Sequence, residues 1–479
     1  MVARKGEFTV TVTKKEVVAA ALPMQEHRLP LSNLDLLLPP LDVSVFFCYE
    51  KKQPPMSISF TQMTVSLKKS LAEALVSYYA FAGEVVTNSM GEPEVLCNNR
   101  GVEFVEAEAD VELQCLNLYN PDDTIQGKLV PNKNHGVLAI QATWLKCGGL
   151  VVACTFDHRI ADAYSANMFL VSWAELTAQP TRPITSPQPC FCRSLLGPRH
   201  PKASIHPSLN GMYVPITSLP SSPVEPEPEN MSDPFISRIY YVKVDQLNRM
   251  QTLASSYSVK RTKVESFTAF LWKMVAKAAS SSAPATDDVV EARMGVVVDG
   301  RKRLSNGESS DKEKMMGSYF GNVLSIPFSG ISTMELVDKP LGWVADQVHE
   351  FLETAVTKEH FLGLIDFVEA HRPVKALPRI YCGSTTKEGP AIVVSSGQRF
   401  PVSKVDFGWG KPMFGSYHFP WGGDAGYVMP MPTPAGNGDW VVYMHLHKGH
   451  LDFIESHASH VFKPLSWDYL RKKKDIPTF

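Results

Sequence analysis

The sequence predicts a mixed α/β protein built from two large units. Three observations predict it: strand-length apolar runs alternate with helix-length segments of 3.6 periodicity; a proline-rich stretch interrupts both patterns; and 479 residues with 44% apolar side chains supply more than one core needs. The boundaries read as a first unit over residues 1–195, a proline-rich crossover over 196–235, and a second unit over 236–479.

In the first unit, residues 8–13 alternate Phe, Thr and Val, and 43–49 run β-branched and aromatic, so both read as strands. Residues 66–81 repeat apolar side chains at helical spacing up to Gly83, and 93–107 read as two strands around Asn-Asn-Arg-Gly. The runs on either side of Gly148 and Gly149 predict a buried hairpin that leads into Asp-His-Arg-Ile-Ala-Asp at 157–162. Residues 161–177 then predict an apolar helix stopped by Pro180 and Pro183. Between 178 and 235 stand 13 prolines, a density that excludes regular elements and suits an extended connection. Beyond it, 236–244, 289–298, 391–400 and 440–447 read as strands, and 263–279 and 333–356 as helices.

Composition narrows the function. Lys plus Arg number 47 against 49 Asp plus Glu, a net charge of −2, which leaves no broad positive field for nucleic acid or an anionic membrane. The eight cysteines form no CxxC pair and sit mostly in apolar company, as expected of a reducing compartment. The apolar run from Val17 is too short for a secretory signal, and no stretch reaches the roughly 18 residues of a membrane span. The expectation is a cytoplasmic monomer that acts on small molecules.

Two short motifs carry the chemistry. His158 follows a buried strand, with Asp162 four residues on at the opening of a helix. A strand end holds an imidazole on a rigid scaffold, and a neutral imidazole with a pKa near 6.5 suits removal of a hydroxyl proton. Asp162 is placed to hold the turn and is favoured at a helix N-terminus. The bland reading is a capped helix with an incidental histidine. The second motif, Asp406-Phe407-Gly408-Trp409-Gly410, reads as a tight structural turn whose buried indole needs a hydrogen-bond acceptor. No phosphate-loop pattern is present.

Taken in order, Ser32-Asn-Leu-Asp35, residues 75–83, His158 to Asp162, residues 265–272, Asp299-Gly-Arg301, Tyr319-Phe-Gly-Asn322 and Asp406 to Gly410 resemble the plant acyl-CoA-dependent acyltransferases of the BAHD family. The resemblance spans nearly the whole chain. It implies two similar chloramphenicol-acetyltransferase-like α/β domains joined by a long crossover, with a channel between them and the histidine at its middle. It implies acyl-CoA as a co-substrate with no tightly bound cofactor. His158 becomes the general base, Asp162 a structural support paired with an arginine, for which Arg301 is the candidate, and Ser395 a hydroxyl donor to the oxyanion. At Gly397, relatives that acylate shikimate often carry tryptophan. Stretches 14–23, 31–40 and 45–49 look most like coniferyl alcohol acyltransferases, which implies an acetyl group moved to a flat aromatic alcohol.

CoA phosphates need local positive charge, and Lys260, Arg261 and Lys263 before the helix that contains Ser266 offer it, together with a helix N-terminus. A solvated basic loop is the alternative. His445, His447, His450, His457 and His460 allow a metal site on spacing alone, yet few carboxylates and no cysteine accompany them, so no metal is expected. Other readings are a hydroxycinnamoyl transferase acting on shikimate, quinate or an amine, a serine hydrolase, for which the GxSxG elbow is missing, and a binding protein with a decayed site.

Overall fold

The computed structural model describes residues 7–51, 58–181, 185–201, 209, 211–218, 233–256, 259–282, 290–382 and 388–471. The glutamate- and proline-rich part of the expected crossover lies outside these residues.

The first half forms strands β1 (Val10–Val18), β2 (Asp42–Tyr49), β3 (Val102–Ala109), β4 (Leu138–Leu145) and β5 (Leu150–Asp157), and helices α1 (Phe60–Ser77) and α2 (Ala163–Ala178). β4 and β5 are the expected hairpin, with Trp144 opposite Leu150 and Gly148 at φ +80° in the turn. Every residue of β5 is buried, which explains its unbroken apolar run. α1 starts earlier than the apolar repeat suggests, because Ser59 and Gln62 form a capping box ahead of it. It ends at Ser77, and a 3₁₀ turn over Tyr79–Ala82 leads to Gly83, whose absent Cβ would meet the Leu96 carbonyl at 2.6 Å.

The second half contributes β6 (Phe235–Val242), α3 (Lys263–Ser282), β7 (Glu291–Asp299), α4 (Leu341–Ala355), β8 (Glu388–Ser395), β9 (Phe414–His418), β10 (Ala425–Pro432) and β11 (Trp440–His447). The helix expected over 333–356 is two helices, Thr333–Asp338 and α4, with Pro340 at the break. The strand expected over 391–400 ends at Ser395 and gives way to a turn in which Phe400 N–H donates to the Gly397 carbonyl.

Two mixed sheets result. The first runs β1-β3-β4-β5-β2-β9; the main path of the second is Leu324–Ser325, β7, β8, β10, β11, β6 and Lys463–Pro464. β9 comes from the second half yet pairs antiparallel with β2 of the first, Phe414 opposite Cys48 and His418 opposite Ser44. Its Phe414 and Tyr417 enter the same core as Phe46, Val152, Phe156 and Trp173. A separate core fills the second half around Trp272, Met294, Val344 and Val442. Burying large side chains such as Phe414 and Tyr417 stabilises by roughly 1.5–3 kcal/mol each, so the crossing strand fastens the halves together. The fold is two-domain α/β, and the C-terminal end of β5 lies beside the junction. No helix among the described residues is long and apolar enough to cross a membrane.

Candidate active site

His158 is the first residue after β5, and its main chain is fixed on both sides. Its N–H donates to the Leu41 carbonyl at 2.8 Å, while its own carbonyl accepts from Asn322 Nδ2 at 2.9 Å. Asn322 also donates to the Arg159 carbonyl, and Asp35 Oδ1 accepts from its N–H at 2.7 Å and its Nδ2 at 2.9 Å. The His158 turn is thus gripped by residues from both halves of the chain. The imidazole borders a cavity of ≈ 400 Å³ and meets the Phe419 ring edge-on, centroids 6.2 Å apart. Its Nδ1 is buried and has no hydrogen-bond partner among the described residues, so no carboxylate orients the ring as in a hydrolase triad.

Asp162 is committed elsewhere. As N-cap of α2 it accepts from the Ser165 N–H at 2.9 Å, and it takes a two-pronged contact from Arg301, Nη1 to Oδ2 at 2.7 Å and Nη2 to Oδ1 at 3.1 Å. Both side chains are almost fully buried. Arg301 donates further to Ser165 Oγ and to the carbonyls of Tyr319 and Gly321. Arg301 is desolvated, but the carboxylates of Asp162 and Asp299 keep its pKa above the usual arginine range. The pair shapes the wall beside the histidine.

Ser395 ends β8 and borders the same cavity, beside the Tyr427 phenol. Burial raises that phenol to about 12 despite the Ser395 hydrogen bond, so it stays protonated as a donor. Gly397 follows within the wall. A Cβ there would lie 2.6 Å from Met431 Cγ, 2.9 Å from Met429 Cγ and 3.1 Å from the Pro430 carbonyl, so any side chain at this position would have to displace its neighbours. Aromatic residues dominate the far wall: Phe400, Tyr417, Phe419, Trp421, Tyr427 and Tyr381.

The turn from Asp406 to Gly410 stands apart from this cavity. Asp406 Oδ1 accepts from Gly408 N–H at 2.9 Å and Gly410 N–H at 2.8 Å, and both glycines hold positive φ. Gly408 approaches Ala178 at the end of α2, where a Cβ would stand 3.3 Å from its Cα, and Phe407 meets Trp173 of that helix edge-on at 4.8 Å. The turn therefore buttresses the helix that Asp162 opens. The acceptor expected for the buried Trp409 indole is not there: Nε1 has no partner among the described residues, and the ring is held by Phe407 and Tyr49 instead.

The residues expected to hold CoA behave differently from one another, and none borders the cavity. Lys260 is exposed and Lys263 half-buried. Arg261 pairs with Asp346 at 2.7 Å. Ser266 is fully buried and spends its hydroxyl on the Thr262 carbonyl, which closes it to a ligand. The N-terminus of α3 is also filled: Thr262 Oγ1 accepts from the Glu265 N–H while Glu265 Oε2 accepts from the Thr262 N–H, a capping box with its own carboxylate. Sequence spacing showed the charges; it did not show that Glu265 and Asp346 neutralise two of the expected contacts.

Of the C-terminal histidines, His445 is buried against Ser237 Oγ at 3.0 Å, His447 Nδ1 donates to the Asp233 carbonyl at 2.9 Å, and His457 stacks on Phe453. Among the described residues no group of His, Cys, Asp and Glu is arranged to hold a metal. The site residues that sequence spacing left without a role are Asp35 and Asn322, which grip the His158 turn, and Trp421, whose indole donates to the Ala425 carbonyl at 2.9 Å. Phe419-Pro-Trp-Gly-Gly, a clustered aromatic and glycine turn, was the available signal for the last.

A two-domain fold with an unassisted histidine on a cavity at the junction defines an acyl-CoA-dependent acyltransferase when taken with the comparisons. The profile described as "Transferase: Transferase family" matches residues 8–461, and the chain belongs to that family of acyl-CoA acyltransferases. It is 27% identical to a hydroxycinnamoyltransferase of Narcissus pseudonarcissus over 92% of this chain and 97% of that protein. It is also 27% identical to a (Z)-3-hexen-1-ol acetyltransferase of Arabidopsis thaliana, over 85% and 84% respectively. Its fold resembles the crystal structure of vinorine synthase, TM-score 0.68 at 20% identity, over 96% of this chain and 100% of the other. It likewise resembles F. graminearum TRI101 complexed with coenzyme A and deoxynivalenol, TM-score 0.68 at 12% identity, over 91% and 99%.

Proposed function

We propose that this enzyme moves an acyl group, acetyl in the favoured case, from CoA to the primary hydroxyl of a phenylpropanoid alcohol such as coniferyl alcohol. His158 takes the hydroxyl proton as the alcohol oxygen attacks the thioester carbonyl. The tetrahedral intermediate collapses with cleavage of the C–S bond, and the imidazolium returns its proton to the CoA thiolate, so an ester and free CoA leave. The Ser395 hydroxyl donates to the oxyanion. Asp162 and Arg301 keep the wall in shape, and Lys260 and Lys263 receive phosphate charge from CoA. The units at 1–195 and 236–479 act together as a cytoplasmic monomer.

The observation that carries this reading is the aromatic wall leading away from the base, which suits a flat ring held by apolar burial and edge contacts. A hydroxycinnamoyl transferase is the second reading, favoured by relatives with that name. Shikimate or quinate as its acceptor fits less well, because Gly397 stands where the resemblance leads one to expect the tryptophan of shikimate-acylating relatives. The test is a panel of acetyl-CoA and hydroxycinnamoyl-CoAs crossed with coniferyl alcohol, shikimate, quinate and an amine, read by product mass. Ester formation on coniferyl alcohol with acetyl-CoA as the best donor supports the proposal; products on shikimate, quinate or the amine alone replace it.

A further inference from the structure

We infer that the Tyr381 hydroxyl is a recognition point for the ring hydroxyl of a 4-hydroxyphenyl substrate lying against Trp421. Four phenols border the cavity. Three are already occupied: Tyr164 donates to the Gly317 carbonyl at 2.7 Å, Tyr417 to Asn167 Oδ1 at 2.9 Å, and Tyr427 pairs with Ser395. Tyr381 has no hydrogen-bond partner among the described residues. Burial, with some help from the nearby phenols Tyr427 and Tyr213, pushes its pKa well up, so it stays a neutral donor and acceptor.

The ring contacts say what would lie beside it. Tyr381 meets Trp421 edge-on at 4.7 Å, Trp421 lies parallel to Phe419 at 6.5 Å and 11°, and Phe419 meets His158. An aromatic wall thus leads from the base at one end to the Tyr381 phenol at the other. A rigid, flat ring bearing a reactive chain at one end and a hydroxyl at the other matches both termini at once. A substrate without the ring hydroxyl forgoes the hydrogen bond that Tyr381 would make on binding, so it is disfavoured there.

This rests on the proposed aromatic substrate, and the ring could belong to the alcohol or to the acyl donor. Two arms separate them: coniferyl against cinnamyl alcohol with acetyl-CoA, and p-coumaroyl-CoA against cinnamoyl-CoA with a fixed aliphatic alcohol. In one arm the wild-type enzyme should favour the hydroxylated partner by about tenfold in kcat/KM, and Tyr381→Phe should bring the ratio within about twofold. A wild-type ratio near one in both arms overturns the inference without any variant. A wild-type preference that survives Tyr381→Phe overturns it too. Absence of turnover in both arms would instead defeat the aromatic-substrate reading and this inference with it.

Discussion

At the scale of single residues, the proposed base is separated from the charges around it. His158 contributes an imidazole whose Nδ1 has no carboxylate partner among the described residues, while the neighbouring Asp162 is spent on Arg301 and the α2 N-terminus. Removing the base in His158→Ala should lower kcat by about 10²- to 10⁴-fold with the melting curve unchanged; full retained turnover would exclude it as the base. Arg301→Ala acts through the opposite route. It leaves the Asp162 carboxylate buried without its partner, so chemical unfolding should show a loss of about 3–5 kcal/mol before any assay is run. Residue types and spacing made His158 and Asp162 legible in the sequence, and the family resemblance pointed to Arg301. Asp35 and Asn322 were visible only as matching blocks, because their function is a contact between positions 287 residues apart.

At the scale of elements, β9 decides how the halves meet. Gly415 sits where it crosses β2, and a Cβ there would stand 2.6 Å from Phe47 Cδ1, a ring stacked on Phe400. Gly415→Ala should therefore cost about 1–3 kcal/mol by overpacking, measured by urea unfolding. The same strand ends in His418, whose imidazole burial pushes down to about 3; burial likewise lowers His450 to about 4. Unfolded imidazoles take a proton near 6.5, so below that pH the unfolded chain binds protons the native one refuses. Stability present above pH 6.5 is lost as pH falls toward 4. Between pH 7 and pH 5 the denaturation midpoint of His418→Gln should shift less than that of the wild-type chain. Most strands and helices were readable from periodicity, but β9 was not assigned, because a five-residue strand in a glycine-rich stretch carries too little pattern.

At the scale of the whole molecule, the proposed charge for CoA stands outside the cavity, on the loop before α3. Lys260→Ala combined with Lys263→Ala should raise KM for acyl-CoA several-fold with kcat nearly constant, and should shrink the thermal shift given by CoA. An unchanged KM would move the phosphate contacts elsewhere. By itself the sequence determined the α/β class through local periodicity and the acyltransferase class through ordered motifs that resemble one family, and it singled out His158 as the candidate base. Only the tertiary structure decided that α3's N-terminus is filled by Glu265, that Gly397 faces methionines, and that an aromatic wall leads from His158 to Tyr381. Each of those is a meeting of side chains distant in sequence, and packing rather than spacing sets which atoms are left free to bind.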